Sequence, residues 1–532
     1  MRTTGRVLAI SLCAAFSITQ PVLSEEEGFK PIFNGKDLAG WDGNPDLWRV
    51  EDGAITGETT AEKPTKGNTF IIWRAGQTVD DFELKLEYRI QGGNSGIQYR
   101  SFELEKWVAG GYQADIDSGD RYSGILYGER DRGILAERGQ KTVIGEDHKP
   151  RVVGTLGDSK DIQAKIKKDD WNEYRIVAKG NRLLHEINGV KTAEVVDEDK
   201  PAAGEAKGRR ASGILAFQLH AGPSMKVQFR NVRLKRTPLE SAKKVVFVAG
   251  HASHGFGAHD HKAGCYLLKN RLEESGLGIL GAVYHPDWPA DPTFLDNANA
   301  LVIYSDGGGG AHPINKHVDE VMPLAKKGLG LGFIHYAVEV EKGKVGDAML
   351  EWTGGYFEMH RSVNPHWTIK DAVLAKDHPI TRGVKPYSIN DEWYFFMRFP
   401  EKMEGVTPIL GAVAPPETMS RPDGAHSGNK YVRESVKRGD VQHVMWARQR
   451  SEGGRGFGFT GGHVHWNWGH PEHRKLVLNA IAWIAGAEVP SAGVLDKPVT
   501  MEELMANHDE KPPQNFKEEA IKKKIDEWQA GK

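Results

Sequence analysis

Between Gly92 and Arg138, Gln98 and Arg100 alternate with Ile97 and Tyr99, and Gln113, Asp115 and Asp117 alternate with Tyr112, Ala114 and Ile116. Successive side chains of a strand point to opposite faces, so period-two strands place each polar set on one face of a sheet. A solvated outer face alternates in the same way. Such a face is usually built from Lys, Glu and Thr, however, and short acids and amides beside an Arg point to one that binds or reacts. A second set of residues carries different chemistry. GHASHGFGAHDH holds His251, His254, His259 and His261, an apolar run ends at His335, DEWY supplies Asp391 and Glu392, and GGHVHW supplies His463 and His465. Imidazoles beside carboxylates suit a divalent metal, with His254, His259, His261 and His463 as ligands. They equally suit metal-free acid-base work on a bound substrate contacted by His335, Asp391 and Glu392. A third option is that these histidines only hydrogen-bond the loops that carry them.

Two different scaffolds must hold these sets. Over residues 29–236, runs such as ELKLEYRI, EYRIVAKG, GILAFQLH and VQFRNVRLK are short, broken by Gly, Asn and Asp, and show little helical periodicity. This predicts an all-β jelly-roll sandwich, with the opening FNGKDLAGW close to the closing FRNVRLK. RTPLESAK is a polar, proline-containing boundary. Beyond it VVFVAG, ALVIYSD and LGLGFIH are continuous apolar strands, separated by helical patterns such as CYLLKNRLEESG and NKHVDEVMPLAKKG. That alternation predicts an α/β flavodoxin-like domain over residues 243–488, a parallel sheet with helices on both faces. Ligands of such sheets bind beyond the carboxyl ends of the strands, and there the histidines lie. Residues 489–532 read as a polar tail, in which EEAIKKKIDEWQ predicts a terminal helix with Ile521, Ile525 and Trp528 on one stripe.

With 532 residues, 39% of them hydrophobic and 27% charged, and with 14 tryptophans, the chain can form two large or three smaller globular domains. A formal net charge of -2 gives no electrostatic reason to expect nucleic acid or an anionic membrane as partner. Arg2 and Arg6, the apolar run from Val7 to Ile18, and Val22-Leu23-Ser24 read as a secretory signal peptide over residues 1–24. The run is too short to span a bilayer. A periplasmic or secreted location is therefore expected. Cys13 falls within that signal, so Cys265 has no partner for an internal disulfide. The sequence gives no indication of oligomeric state.

The first region resembles the 3-keto-disaccharide hydrolase family, which has a concanavalin-like jelly-roll fold. The resemblance rests on FNGKDLAGW, GGNSGIQYR, GYQADID, the SGILY run, WNEYRI, HEING and LHAGPSMKVQFRNVRLK. Many members have Glu and Gln where this chain has Gln113 and Asp115. The resemblance implies a carbohydrate partner, an oxidised glycoside. A ketone at sugar C3 acidifies the C2 proton, so a base can remove it and the anomeric substituent can leave; direct hydrolysis would instead need two carboxyls flanking the bond. On that basis Asp115 or Asp117 is the base, Arg100 stabilises enolate charge, His220 donates a proton, and Gln113 completes the catalytic set. Asn94, Gln98 and Tyr127 would contact substrate. The second region resembles the trehalose-utilisation ThuA-like family, related to class I glutamine amidotransferases. The resemblance rests on VAGHASHG, the strand ending at His335, GGYFEMH, DHPIT, DEWY and GGHVHW. Where that superfamily carries a nucleophilic cysteine at a strand-to-helix turn, this chain has GFIHYA, with His335 in the slot. Cys265 falls on a helix behind the first strand, so thiol-based glutamine hydrolysis is not expected. No cofactor is fixed by these features beyond the option of a divalent metal.

Overall fold

The computed structural model describes residues 26–202 and 204–531, so the expected signal peptide lies outside the described residues. Alternation shapes the first domain. Along Phe82–Gln91 the residues Phe82, Leu84, Leu86, Tyr88 and Ile90 are buried while those between them are only partly so. The strand thus shows one face to a core. Two sheets are built in this way, one of ten strands and one of seven. Their facing sides enclose Ile97, Tyr99, Tyr112, Ala114, Phe217 and Phe229 among others. Each large apolar side chain buried there stabilises the sandwich by about 1.5–3 kcal/mol. The opening strand, Lys30–Pro31, pairs antiparallel with the closing one, Met225–Arg236, with Lys30 opposite Leu234.

The seven-stranded sheet carries the polar face. Its central strands are β1 (Thr69–Trp73), β2 (Asn94–Glu105), β3 (Val108–Asp117), β4 (Leu126–Glu129) and β5 (Ile214–Leu219), in spatial order β4-β3-β2-β5-β1. In β2 and β3 the register sets Gln98 opposite Gln113, Gly96 opposite Asp115 and Asn94 opposite Asp117. Past a bulge between Tyr99 and Phe102, the β2–β3 hairpin crosses the outer side of its own sheet. At its far end the Phe70 amide donates to the Trp107 carbonyl (2.9 Å), and Trp107 Nε1 donates to Asp42 Oδ1 (2.9 Å). Beneath the hairpin, Phe70, Ile72, Ala109 and Ala216 form a small apolar cluster separate from the inter-sheet core.

The second domain is a mixed sheet of eight strands. Five are parallel, in the order β7-β6-β8-β9-β12: β6 (Lys243–Ala249), β7 (Ile279–Tyr284), β8 (Ala300–Tyr304), β9 (Gly330–Ile334) and β12 (Arg455–Phe459). The sheet departs from the expected all-parallel form beyond β12, where β11 (Val441–Gln449) and then Thr407–Val413 add antiparallel. The reason is local. Ser451-Glu452-Gly453-Gly454 makes a tight turn, which closes a hairpin where a parallel neighbour would need a long crossover. A further strand, β10 (Ile389–Glu392), pairs with His366–Ile369 beside the main sheet. Helices α1 (His261–Glu274) and α3 (Pro471–Ile484) pack with Val245, Phe247 and Val302 on one face. Helix α2 (Ile314–Lys326) packs with Val246, Val248, Leu301 and Ile303 on the other. The terminal helix α4 (Glu518–Gln529) buries Ile525 and sets Trp528 against His470, ring centres 5.1 Å apart, so it covers the α/β domain. Among the described residues no helix is long and apolar enough to cross a membrane.

Candidate functional site

On the outer face of the seven-stranded sheet, a chain of amides leads to a carboxyl. Ser101 Oγ donates to Gln98 Oε1 (2.7 Å), Gln98 Nε2 donates to Gln113 Oε1 (2.6 Å), and Gln113 Nε2 donates to Asp115 Oδ1 (2.5 Å). Asp115 is buried, and burial pushes its carboxyl well above the usual range; the Gln113 bond opposes the shift, while the charges of Glu129 and Asp117 add to it. Tyr127 lies opposite Gln113 on β4 and so shares the face. Asp117, at the end of β3, accepts the Tyr122 amide at Oδ2 (3.2 Å). It also lines a cleft of 630 Å³ together with Tyr88, Arg138, Lys160, Lys167, Lys168 and Asn172. Arg138 folds the wall of that cleft, donating to the carbonyls of Ser123, Asp120 and Ser159 (2.8, 2.8 and 3.0 Å).

Two expected members do not join this set. Arg100 has φ +45° at the bulge, which turns it away from Gln98. Its guanidinium is buried and donates to Asp81 Oδ1 (2.6 Å), Asp80 O (2.6 Å) and Gly180 O (2.7 Å). It holds loops together and cannot reach an enolate on the sheet face. His220 follows β5, and its Nδ1 lies 2.5 Å from the Ala221 carbonyl, without a bond to the Gln98–Gln113–Asp115 chain. Asn94 sits opposite Asp117 at the strand end.

At the carboxyl ends of the parallel strands the histidines converge. His335 directly follows β9, at the start of a 3-10 turn, with φ +56°, and His254 and His259 also have positive φ, +67° and +49°. Residues other than Gly held in that region cost about 1–3 kcal/mol each and collect at functional sites. His335 Nδ1 donates to the Thr460 carbonyl (2.8 Å), and His259 Nδ1 meets Asp306 Oδ1 (2.7 Å). Their Nε2 atoms then face each other at 3.0 Å. His463 Nδ1 lies 2.9 Å from His259 Nε2 and 3.1 Å from Glu392 Oε2, which is itself 3.6 Å from His335 Nε2. Burial and the neighbouring imidazoles His259 and His463 push His335 well below the usual histidine range; burial likewise lowers His259, against the pull of Asp306. Among the described residues, the groups that could hold a metal are His259, His335, Glu392 and His463, with His254, His259 and Asp306 as a second, more exposed set.

Of the residues expected here, His261 and Asp391 stand apart. His261 Nδ1 donates to the His251 carbonyl (2.8 Å), and its ring is not among those four donors. Asp391 is fully buried and accepts the amides of Gly462 (2.8 Å) and Val464 (3.2 Å) and the Asn467 side chain (3.1 Å). It clamps the GGHVHW loop, its oxygens taken up by these bonds. The thiol of Cys265 is buried in α1 and pushed up by burial alone, so it is no nucleophile. Residues not singled out from the sequence complete the site. Tyr394 Oη lies 3.3 Å from both His335 Nε2 and Glu392 Oε2, and Asn364 Nδ2 donates to Glu392 Oε1 (3.1 Å). Arg421 donates to Asn364 (2.8 Å), and His426 pairs with Glu339 (3.0 Å), a bond that raises its basicity against burial. Asp306 had a legible signal, since it ends the strand phrase ALVIYSD; Arg421 and His426 come from a loop without one. Together with His254, His259, Tyr336 and Glu392, several of these groups line a pocket of 220 Å³.

A two-sheet sandwich with a polar outer face, joined to a mostly parallel α/β sheet with histidines and carboxylates gathered at its strand ends, defines a jelly-roll-like domain followed by a mixed α/β domain. Residues 28–235 match the 3-keto-alpha-glucoside-1,2-lyase-like domain and residues 244–484 match the trehalose utilisation (ThuA) domain, so the chain is a lyase-like domain followed by a ThuA domain. Similar solved structures include a Parabacteroides distasonis protein provisionally assigned as a glycosyl hydrolase (23% identity, 41% of this chain, 98% of that one, TM-score 0.27). Others are a ThuA-like protein from Bacteroides uniformis (16% identity, 47% and 92%, TM-score 0.33) and the carbohydrate-binding module CBM66 from Bacillus subtilis (15% identity, 37% and 95%, TM-score 0.24). Among curated proteins none matches the sequence.

Proposed function

We propose that the chain is an exported enzyme that cleaves 3-keto-glycosides by elimination on its first domain, while the second domain binds or acts on a keto-sugar. One observation carries the proposal: β3 bears two carboxyls in different settings, Asp115 buried and pushed toward its neutral form, Asp117 on the wall of a cleft large enough for a disaccharide. In the elimination, Asp117 takes the C2 proton made acidic by the C3 ketone. The C1–O bond breaks, the C1=C2 bond forms, and the leaving oxygen takes a proton from cleft water. Lys160, Lys167 and Lys168 put positive charge along the cleft, which favours the enolate-like transition state. Hydrolysis with paired carboxyls would need both to reach the glycosidic bond. Burial of Asp115 argues against that route.

A second reading confines all chemistry to the ThuA domain and leaves the sandwich to hold glycan; it is favoured by the burial of Gln98, Gln113 and Asp115. Turnover of a 3-keto-glucoside deuterated at C2 decides between them. Under the elimination reading the wild-type chain shows a primary isotope effect, and Asp117→Asn, which keeps an acceptor for the Tyr122 amide, loses about 10²-fold or more in kcat. His335→Ala keeps the elimination. An unimpaired Asp117→Asn enzyme, or an inactive His335→Ala enzyme with normal sugar binding, moves the chemistry to the second domain. Export is tested by finding a mature N-terminus close after Ser24 in the periplasmic or secreted fraction.

A further inference from the structure

We propose that His259 Nε2, His335 Nε2, His463 Nδ1 and Glu392 Oε2 form a centre for one divalent transition-metal ion. Geometry comes first. Donors about 2.0–2.2 Å from an ion in tetrahedral or octahedral arrangement lie roughly 2.8–3.6 Å from one another. The contacts in this cluster are 2.9 Å (His259–His463), 3.0 Å (His259–His335), 3.1 Å (His463–Glu392) and 3.6 Å (His335–Glu392), and all four donor atoms lie within 4.8 Å of one another.

The hydrogen-bond inventory makes the same point. Thr460 O takes the proton on His335 Nδ1, and Asp306 takes the one on His259 Nδ1, so both Nε2 atoms present lone pairs. Metal-bound imidazoles are oriented in this way, the far nitrogen donating to a carbonyl or carboxylate. Three acceptors remain at the centre: the two Nε2 atoms and Glu392 Oε2. The donors that reach them are a proton on His463 Nδ1 and the Tyr394 hydroxyl. Two protons do not satisfy three acceptors held together at these distances, whereas a cation does so at once.

Three imidazoles and one carboxylate suit Mn, Fe, Co, Ni or Zn rather than Mg or Ca, which prefer all-oxygen sites. His259 and Glu392 also line the 220 Å³ pocket with Asn364, Tyr394 and Arg421, so remaining coordination positions open toward polar groups. The external ligand that fits is a carbonyl with an adjacent hydroxyl, which chelates through two oxygens. That class rests on the keto-sugar reading given above.

The test uses the full chain, stripped with a chelator and titrated with Co²⁺. The expected result is uptake of one equivalent with a visible absorption band, and elemental analysis of the protein as purified that finds one transition metal per chain. His335→Ala and Glu392→Gln lose the band. Asp306→Asn, at a residue outside the four-donor set, weakens affinity about 10–100-fold with unchanged circular dichroism, as expected for a group that orients His259. Addition of a 3-keto-glucoside shifts the band. No uptake by the folded wild-type chain overturns the centre and leaves a proton-linked histidine network. Uptake with a band that the keto-sugar leaves unmoved overturns the ligand class. Metal uptake is read without turnover, so failure of the elimination reading leaves this outcome separate.

Discussion

Burial without a cationic partner sets the character of Asp115. Its side chain accepts from Gln113 but faces the like charges of Glu129 and Asp117, and its carboxyl lies well above the usual range. In the unfolded chain the same group ionises near its ordinary value of about 3.9. Between those two values the folded state holds the proton and the unfolded state does not. The stabilising contribution is therefore fully present below about pH 3.9 and declines by about 1.4 kcal/mol per pH unit as pH rises toward the folded value. Asp115→Asn, which can still accept from Gln113, removes that decline. In urea unfolding at a series of pH values, the variant is expected to match the wild type near pH 3.5 and to exceed it progressively toward pH 7; parallel curves would refute the burial argument. Side-chain chemistry of this kind was partly legible. GFIHYA located His335 at its strand-to-helix turn, and GHASHGFGAHDH drew attention to His259. DEWY misled in one respect, since adjacent residues of a strand face opposite ways: β10 sends Glu392 into the cluster and Asp391 under the GGHVHW loop.

At the scale of elements, the β2–β3 hairpin governs access to the sheet face. Period-two alternation correctly sorted Tyr112, Ala114 and Ile116 into the core and Gln113 and Asp115 onto the opposite face, while Asp117 at the strand end lines the cleft that Tyr88 and Ile90 share. It failed at Arg100, because a bulge resets the alternation and nothing in the local spacing of SGIQYRS records it. Nor did local spacing show that the hairpin would fold back as far as β1. That path depends on pairings between Trp107 and Phe70 or Asp42, and between Glu103 and Arg74 (2.6 Å), which are remote in sequence. Trp107→Ala removes the indole bond to Asp42 and the packing of the ring, while leaving the backbone bond to Phe70 in place. The Phe70 amide is expected to exchange with deuterium at least tenfold faster, and Gln98 and Gln113 to become more accessible. Unchanged exchange at Phe70 would mean that the apolar cluster of Phe70, Ile72, Ala109 and Ala216 alone holds the hairpin closed.

Across the whole molecule the two domains are joined by a buried polar network. Lys244 Nζ, at the start of β6, pairs with Asp80 Oδ2 (2.7 Å), and Asn297 Nδ2 donates to Asp80 Oδ1 (2.9 Å). Arg236, at the end of the sandwich's last strand, pairs with Asp291 (2.9 Å) and donates to Thr293 Oγ1 (2.9 Å). It also donates to the carbonyls of Thr78 (2.9 Å) and Gly76 (3.2 Å). Asp80 belongs to the sandwich, whereas Lys244, Asp291, Thr293 and Asn297 belong to the α/β domain, so the polar segment RTPLESAK is bridged by fixed charges. Burial works against the Asp80 carboxylate, yet Lys244 and Arg236 hold it below the usual range; burial and Arg236 lower Lys244 to about 8. A network of this kind adds little over apolar packing, but removing one charge from it leaves the others buried without compensation. Asp80→Ala strands Lys244 beside Arg236, and is expected to cost about 3–5 kcal/mol. It should also divide a single thermal transition into two, the junction giving way before either core. Limited proteolysis within residues 237–242 should accelerate in parallel. A variant that still unfolds in one step, with an unchanged midpoint, would show that apolar contacts rather than these charges couple the domains. The cleft beside Asp117 in one domain would then have no rigid electrostatic link to the histidine cluster of the other.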